Sequence, residues 1–375
     1  MKKILLPLLA LFCFSTITAT CSEPAAFSDD PQLSDIKLPP GFEITVFAKV
    51  KNARSLTLGT NGTIFVGNRA GKSVTALVDA NKDGIAEKQY VIADNMDTPN
   101  GVAFKDGSLY VAEISKIWRF DNIERNLENP PKPVLVFDKL PTEKHHGWKY
   151  IAFGPDGKLY IPIGAPCNIC DNTDTDKRFA SIARINPDGT GFEIFANGVR
   201  NSVGLAWHPV TKELWFTDNG RDMLGDDVPN DELNRAPQAG MHFGYPFVHA
   251  GDVPDPEFGK GKNLAEYTPP VAKLDPHGAS LGLKFYTGDM FPAEYKNQIF
   301  IAQHGSWNRT EPIGYRISVV KLDGNKEVTY EDFASGWLKN GEVSGRPVDI
   351  LALADGSLLV SDDEAGLIYR ISYKK

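Results

Sequence analysis

The chain reads as an all-β protein, a six-bladed β-propeller, and three observations carry that expectation. A unit made of an apolar residue, a turn built on Asn, Asp, Lys or Gly, and a short aromatic and β-branched strand recurs six times in 375 residues. The turn markers Gly62, Gly107, Gly157, Lys212, Asn297 and Gly356 stand about 45, 50, 55, 85 and 59 residues apart, at or above propeller blade lengths. The stretch Phe42 to Val50 (FEITVFAKV) alternates like a strand, and pairing with Leu367 to Tyr373 closes the ring and removes its sheet edges.

Taken in order, the chain opens on Lys2 and Lys3, an apolar run from Ile4 to Ile17, and then Ser, Thr and Ala before an acidic polar segment. That is the layout of a secretory signal peptide over residues 1–20, and it implies a periplasmic or secreted protein. Cys21 is a candidate lipid anchor, although Thr-Ala-Thr before it lacks the usual Leu of a lipoprotein box. Residues 21–40 are polar and Pro-containing and read as a flexible lead-in, so the propeller domain is assigned to 41–375. No other stretch approaches the ~20 apolar residues of a membrane span.

The six units are LTLGTNGTIFVGN (56–68), VAFKDGSLYVAE (102–113), IAFGPDGKLYIPIG (151–164), LAWHPVTKELWFTDNG (205–220), FPAEYKNQIFIAQHG (291–305) and LALADGSLLVSDD (351–363). Each reads as an up-strand, a tight turn and a down-strand, because Asn-Gly and Asp-Gly supply the positive φ that hairpin turns need. Helical periodicity is scarce, while 34 Gly and 26 Pro are spread along the whole length, as a loop-rich β protein requires. A net charge of −8 argues against nucleic acid and anionic membrane as partners, since both demand basic surface, and leaves small molecules.

Four cysteines occur, with Cys13 inside the leader and Cys21 at its edge. Cys167 and Cys170 remain as a lone Cys-x-x-Cys, compatible with half a zinc site, a redox motif or a short disulfide. Export to an oxidising compartment favours a disulfide that braces a surface loop. On that reading Cys167→Ser lowers stability modestly and spares activity.

Candidate chemistry clusters in a few places. His145 and His146 precede the third unit, where propeller loops converge on one mouth, and a His there can take a proton from a substrate hydroxyl near neutrality. Arg200 and Asn201 precede an apolar run, and a buried Arg normally needs an anionic partner. The loop after Leu214 crowds Asp218, Asn219, Gly220, Asp222, Asp226, Asp227, Asp231 and Glu232, oxygen donors that suit either a hard cation such as calcium or a solvated acidic loop. Arg309 and Arg346 follow on later blades, and three arginines meeting on one axis would hold a multiply anionic ligand. The alternative is that each pairs with a local Asp. Asp79, Asn81, Asp83 and Gly84 match half of an EF-hand loop, but Tyr90 stands where the bidentate Glu belongs, so a plain turn is favoured. His277 and Trp307 lie at other blade mouths, where they line either a sugar site or the packing.

The segments GVRNSVGLAWHP, HGASLGLKFYTG, FPAEYKNQIFIAQHGSWNR, GRPVDILALADGSLLVSDDEAGLIYRIS and HHGWKYIAFGPDGKLYIPIG resemble the pyrroloquinoline quinone (PQQ)-dependent sugar dehydrogenases. Specifically, they resemble the sorbosone dehydrogenase-like branch related to soluble glucose and aldose dehydrogenases, and the likeness runs from about Leu38 to Tyr373. It implies a propeller with PQQ in its mouth, calcium bridging quinone and protein, and a His base. Carried over, the base is His146. Arg200 and Asn201 contact the quinone, the carbonyls of Gly220 and Arg221 hold calcium, and Arg346, Arg309 and Asn100 are further cofactor contacts. The chain has Lys149 where relatives often show Arg and lacks the longer substrate loops, which leaves the sugar or alcohol unnamed. No haem motif is present, so a separate electron acceptor is implied. Two competing readings are a calcium-dependent propeller hydrolase and a non-catalytic binding propeller.

Overall fold

The computed structural model describes residues 33–172 and 174–374; the leader, Cys21 and most of the lead-in lie outside the described residues. Six four-stranded antiparallel blades form the β-propeller. Blade 1 holds Ala53–Leu58, Ile64–Asn68, Val74–Val78 and Lys88–Ala93, and blade 2 holds Gly101–Lys105, Ser108–Ala112, Ile117–Phe120 and Val134–Phe137. Blade 3 holds Ala152–Phe153, Leu159–Ile163, Ser181–Ile185 and Glu193–Asn197, and blade 4 holds Leu205–Trp207, Leu214–Asp218, Asn230–Ala236 and Ala272–Pro276. Blade 5 holds Ser280–Phe285, Ile299–Gln303, Arg316–Asp323 and Lys326–Ala334. Blade 6 takes Pro347–Ala352, Leu358–Asp362 and Leu367–Tyr373 from the C-terminus and Phe42–Lys49 from the N-terminus as its outer strand.

The ring closes as the sequence implies, with Phe42 opposite Tyr373 and Lys49 opposite Leu367. All six turn markers adopt positive φ, from 62° at Lys212 and Asn297 to 90° at Gly62 and Gly356. No blade buries both of its faces by itself. Phe65, Val74 and Ala76 of blade 1 pack on Val102, Leu109 and Val111 of blade 2, and equivalent apolar layers lie between every other neighbouring pair. Ring closure is therefore a condition for burying the core.

Two sequence expectations are corrected. The first strand of blade 5 is Ser280–Phe285 rather than the stretch starting at Phe291. Phe291 and Tyr295 leave the ladder because their rings pack on Phe42, at centroid distances of 4.7 and 5.5 Å, in the layer between blades 5 and 6. The end of the supposed lead-in is also ordered: Lys37 N–H donates to Ser335 O at 2.7 Å, and Leu33, Ile36 and Leu38 pack on the same layer. Gly336, at φ 125°, permits that crossing, since a Cβ there would collide with the Asp35 carbonyl. The long spacing between Lys212 and Asn297 reflects an insertion between the last two strands of blade 4. It carries the ribbon Val248–His249 with Val253–Pro254, and a short strand, Met241–His242, that extends blade 3. Among the described residues no helix is long and apolar enough to cross a membrane.

Candidate active site

Because neighbouring strands of a blade run antiparallel, their connections alternate between two ends of the ring. The first-to-second-strand connections, which hold the six turn markers, lie at one end. The second-to-third-strand connections and the links between blades lie at the other, where a cavity of about 280 Å3 opens. Links between blades bring His146, Arg200, Asn201, His277 and Arg346 to this mouth, and second-to-third-strand connections bring Arg69, Asn219, Gly220, Asp222, His304 and Trp307. Its floor is apolar: Val203, Leu281 and Val348 meet on the axis with Trp148 and Tyr150 packed against them. The mouth is thus a cup, separated from a second cavity of about 380 Å3 at the opposite end.

His146 is 9 % exposed and has φ 48°, a left-handed conformation that few non-glycine residues adopt. Gly164 makes room for it, as any side chain there would strike the His146 Cβ. The Nδ1 of His146 lies 2.9 Å from Ala165 O, and a carbonyl only accepts, so Nδ1 carries the hydrogen and Nε2 keeps its lone pair. Burial, then the charges of Arg200 and His145, hold its pKa well below the usual 6.5. The imidazole is therefore neutral and fixed in orientation at neutral pH. His145 is exposed, with its ring 4.0 Å from that of His146, and does not line the cavity.

Arg200, 3 % exposed, is tied down on all sides. Nε donates to Asn168 O at 3.0 Å, Nη1 to Asn219 O at 3.1 Å, and Nη2 to Asn168 Oδ1 at 2.8 Å and Asp222 Oδ2 at 3.0 Å. A guanidinium has five N–H donors, so one Nη1 hydrogen remains for a ligand. Arg346 is steered by the carbonyls of His304 and Gly305, both at 3.0 Å. Two arginines that sequence reasoning missed join them. Arg54 pairs with Asp363 at 2.9 Å, and Arg69 lies 4.0 Å over the Trp148 ring. Among the described residues Arg69 meets no carboxylate within ion-pair distance; burial, then the charge of Arg54, lowers its pKa. Asp363 also accepts from His304 Nε2 at 2.7 Å. Burial pushes the His304 pKa down to about 4 and keeps that imidazole neutral.

Three expected site residues fall outside the cup. Asn100 is fully buried behind it, where it accepts from Arg54 Nε at 3.0 Å and donates to Lys149 O at 2.8 Å, so it supports an arginine rather than lining the mouth. Arg309 turns into the loop at 226–227, bonding Asp226 O and Asp227 Oδ1, and so has a local acidic partner. Arg221 sends its side chain to Asp255 and only Gly220 of that pair lines the mouth, which leaves the expectation for the Arg221 backbone carbonyl untouched. Cys167 and Cys170 are disulfide-bonded, with Cα atoms 6.2 Å apart. Lys149 is buried, with its pKa lowered to about 8 by burial, and donates to Gly147 O.

The acidic loop does not gather its carboxylates at one point. Asp218 accepts the Arg200 and Asn201 N–H groups at 2.7 and 2.6 Å, and Asp231 accepts those of Gly220 and Ser280 at 3.0 and 2.9 Å. Burial raises the Asp231 pKa to about 6. Asn219, Gly220, Asp222 and Asp231 nonetheless form an oxygen-rich wall of the cup. Asp79, Asp83 and Glu87 lie close enough to share an ion, but at the opposite end of blade 1, where they accept backbone N–H groups of their own turn.

Residues 36–374 match the family model described as TrAA12-like. An uncharacterized protein of Borreliella burgdorferi is 34 % identical over 381 residues, covering 97 % of this chain and 96 % of that one. The PQQ domain of the pyranose dehydrogenase of Coprinopsis cinerea, in its holo form, superposes with TM-score 0.75 at 20 % identity, over 90 % of this chain and 97 % of that one. A calcium structure of a Trichoderma reesei carbohydrate-active enzyme of family AA12 gives TM-score 0.78 at 17 % identity, again over 90 % and 97 %. The resemblance carried by GVRNSVGLAWHP and its companion motifs is thus borne out at the level of fold and relatives. With a match that spans all six blades, the chain belongs to the TrAA12-like family.

Proposed function

We propose that the cup binds PQQ and calcium and oxidises a sugar or related alcohol, passing electrons to a separate acceptor. The observation that carries this reading is the convergence of Arg54, Arg69, Arg200 and Arg346 on a closed-bottomed cavity beside a neutral His whose Nδ1 is already occupied. The donor set fits a flat polyanion. Among the described residues Arg69 has no ion-pair partner and the buried Trp148 Nε1 no hydrogen-bond partner, and Arg200 has one donor to spare. PQQ, when bound, supplies an electron-poor quinone that accepts hydride. Arg200 and Arg346 would hold its carboxylates, and the Asn219–Gly220–Asp222–Asp231 wall, through the Gly220 carbonyl first, would hold calcium.

The chain's own residues then do the rest. His146 Nε2 removes the substrate hydroxyl proton, which raises electron density on the carbon that loses hydride. The Val203–Leu281–Val348 floor keeps water from entering along the axis. Trp307, 67 % exposed at the rim, offers an aromatic face to sugar C–H groups. We place the reaction in the periplasm or outside the cell, on the signal-like start and on a disulfide of the kind that persists in oxidising compartments. A lipid anchor at Cys21 would tether it there.

The hydrolase reading needs carboxylate and Asn ligands rather than arginines able to clamp a polyanion, and four arginines line this cup. Purified protein mixed with PQQ and calcium is expected to develop bound-quinone absorbance and to reduce a dye with aldoses; bound quinone without turnover, or no bound quinone, would defeat the reading. Arg346→Ala is expected to weaken PQQ binding about tenfold or more, since one hydrogen bond to a charged group is worth about 1.5–3 kcal/mol. An unchanged titration would remove Arg346 from the site.

A further inference from the structure

The loop Cys167-Asn168-Ile169-Cys170 belongs to the connection between the second and third strands of blade 3, and its disulfide closes directly behind Arg200. Asn168, between the two cysteines, supplies two of the four acceptors that fix the guanidinium, its backbone carbonyl at 3.0 Å and its side-chain oxygen at 2.8 Å. The same side chain accepts the Asp222 N–H at 2.8 Å and donates to the Asp222 carbonyl at 3.1 Å, so it also sets the carboxylate that pairs with Arg200. Asn168 itself does not line the cup. From the far side Tyr245, 4 % exposed, holds the loop: its phenol oxygen accepts the Cys170 N–H at 3.0 Å and stands 3.5 Å from Asn168 O.

Behind Cys170 and Tyr245 lies a cavity of about 340 Å3, so the C-terminal end of this loop borders open space beside its Tyr245 anchor. With space beside its Cys170 end, the four-residue loop is held by its cross-link and by its hydrogen bonds to Tyr245 and Asp222. A planar guanidinium, in turn, presents its one spare donor in a fixed direction only while its other donors are held. We infer that the disulfide-closed loop is the positioning element for Arg200, acting through Asn168, so that the Cys167–Cys170 bond governs cofactor affinity. The inference rests on the reading that PQQ occupies the cup. It replaces the expectation that losing the disulfide spares activity.

The test is an equilibrium titration of calcium-loaded protein with PQQ, followed by quenching of Trp fluorescence, with the thermal midpoint measured in parallel. Asn168→Ala is expected to raise the Kd about tenfold or more, as for other lost hydrogen bonds to a charged group. Tyr245→Phe and the double variant Cys167→Ala/Cys170→Ala are expected to raise it severalfold while remaining folded at the titration temperature. Tyr245→Phe removes a single oxygen and reads the same loop should Asn168→Ala fail to fold. Wild-type Kd with only a lowered thermal midpoint would overturn the inference and leave the disulfide as a brace. If the wild-type protein binds no PQQ at all, the proposed function falls and this inference with it.

Discussion

His146→Ala lowers turnover of the PQQ-loaded protein by about 10²–10⁴-fold, the usual contribution of general-base catalysis, and leaves PQQ binding in place. The expectation follows from three features: burial keeps the imidazole neutral, Ala165 O occupies Nδ1, and Nε2 remains basic. Because the pKa is depressed, the base stays unprotonated as the pH falls through 6.5, so the acid limb of the pH–rate profile lies well below that value. His145 is exposed and outside the cup, so His145→Ala acts at most on substrate affinity. A dye-linked assay with aldoses checks both variants together with the pH profile. The reverse pattern would shift the base by one residue, and an acid limb at or above 6.5 would contradict the buried environment of His146.

Phe42→Ala is expected to destabilise the folded protein by about 3–5 kcal/mol, the range for truncating a large buried aromatic side chain. Phe42 is the first residue of the strand that closes the ring. Its ring meets Phe291, Tyr295, Phe333 and Tyr373 at centroid distances between 4.7 and 5.5 Å, all edge-on. The substitution therefore opens a cavity between blades 5 and 6 at the seam where the two ends of the chain pair. Guanidinium unfolding followed by circular dichroism reads the loss. A change below about 1 kcal/mol would mean that the seam is held by its backbone ladder alone.

The divided role of the arginines shows where sequence reasoning stops. Arg200 stands out because it precedes an apolar run, Arg346 because it lies in the GRPVDI motif of a late basic set, and both reach the cup. Arg309 sits in an equally suggestive motif but turns to Asp226 and Asp227, residues some eighty positions earlier in the chain. Arg69 has nothing distinctive around it and still reaches the mouth, because blade 1 directs its second-to-third-strand connection there. A chain of net charge −8 thus carries a cationic cup, which total charge does not reveal. The resemblance makes Asn100 a cofactor contact, yet it lies one layer back, under Arg54.

What the sequence by itself determined is the repeating scaffold: the hairpins of five blades, all six turn residues at positive φ, and the pairing of Phe42–Lys49 with Leu367–Tyr373. These depend on interactions within a few residues or on a two-residue alternation, and both are written directly in the order of side chains. What only the tertiary structure decided is the site at the other end of the ring. There Arg69 and Trp148 arrive on irregular connections that have no period to read, Asn168 backs them from another, and Arg54 comes from the start of a blade 1 strand. Whether a charge among them is neutralised or left for a ligand depends on which distant loop folds against it, as Asp363 does for Arg54 across 309 positions.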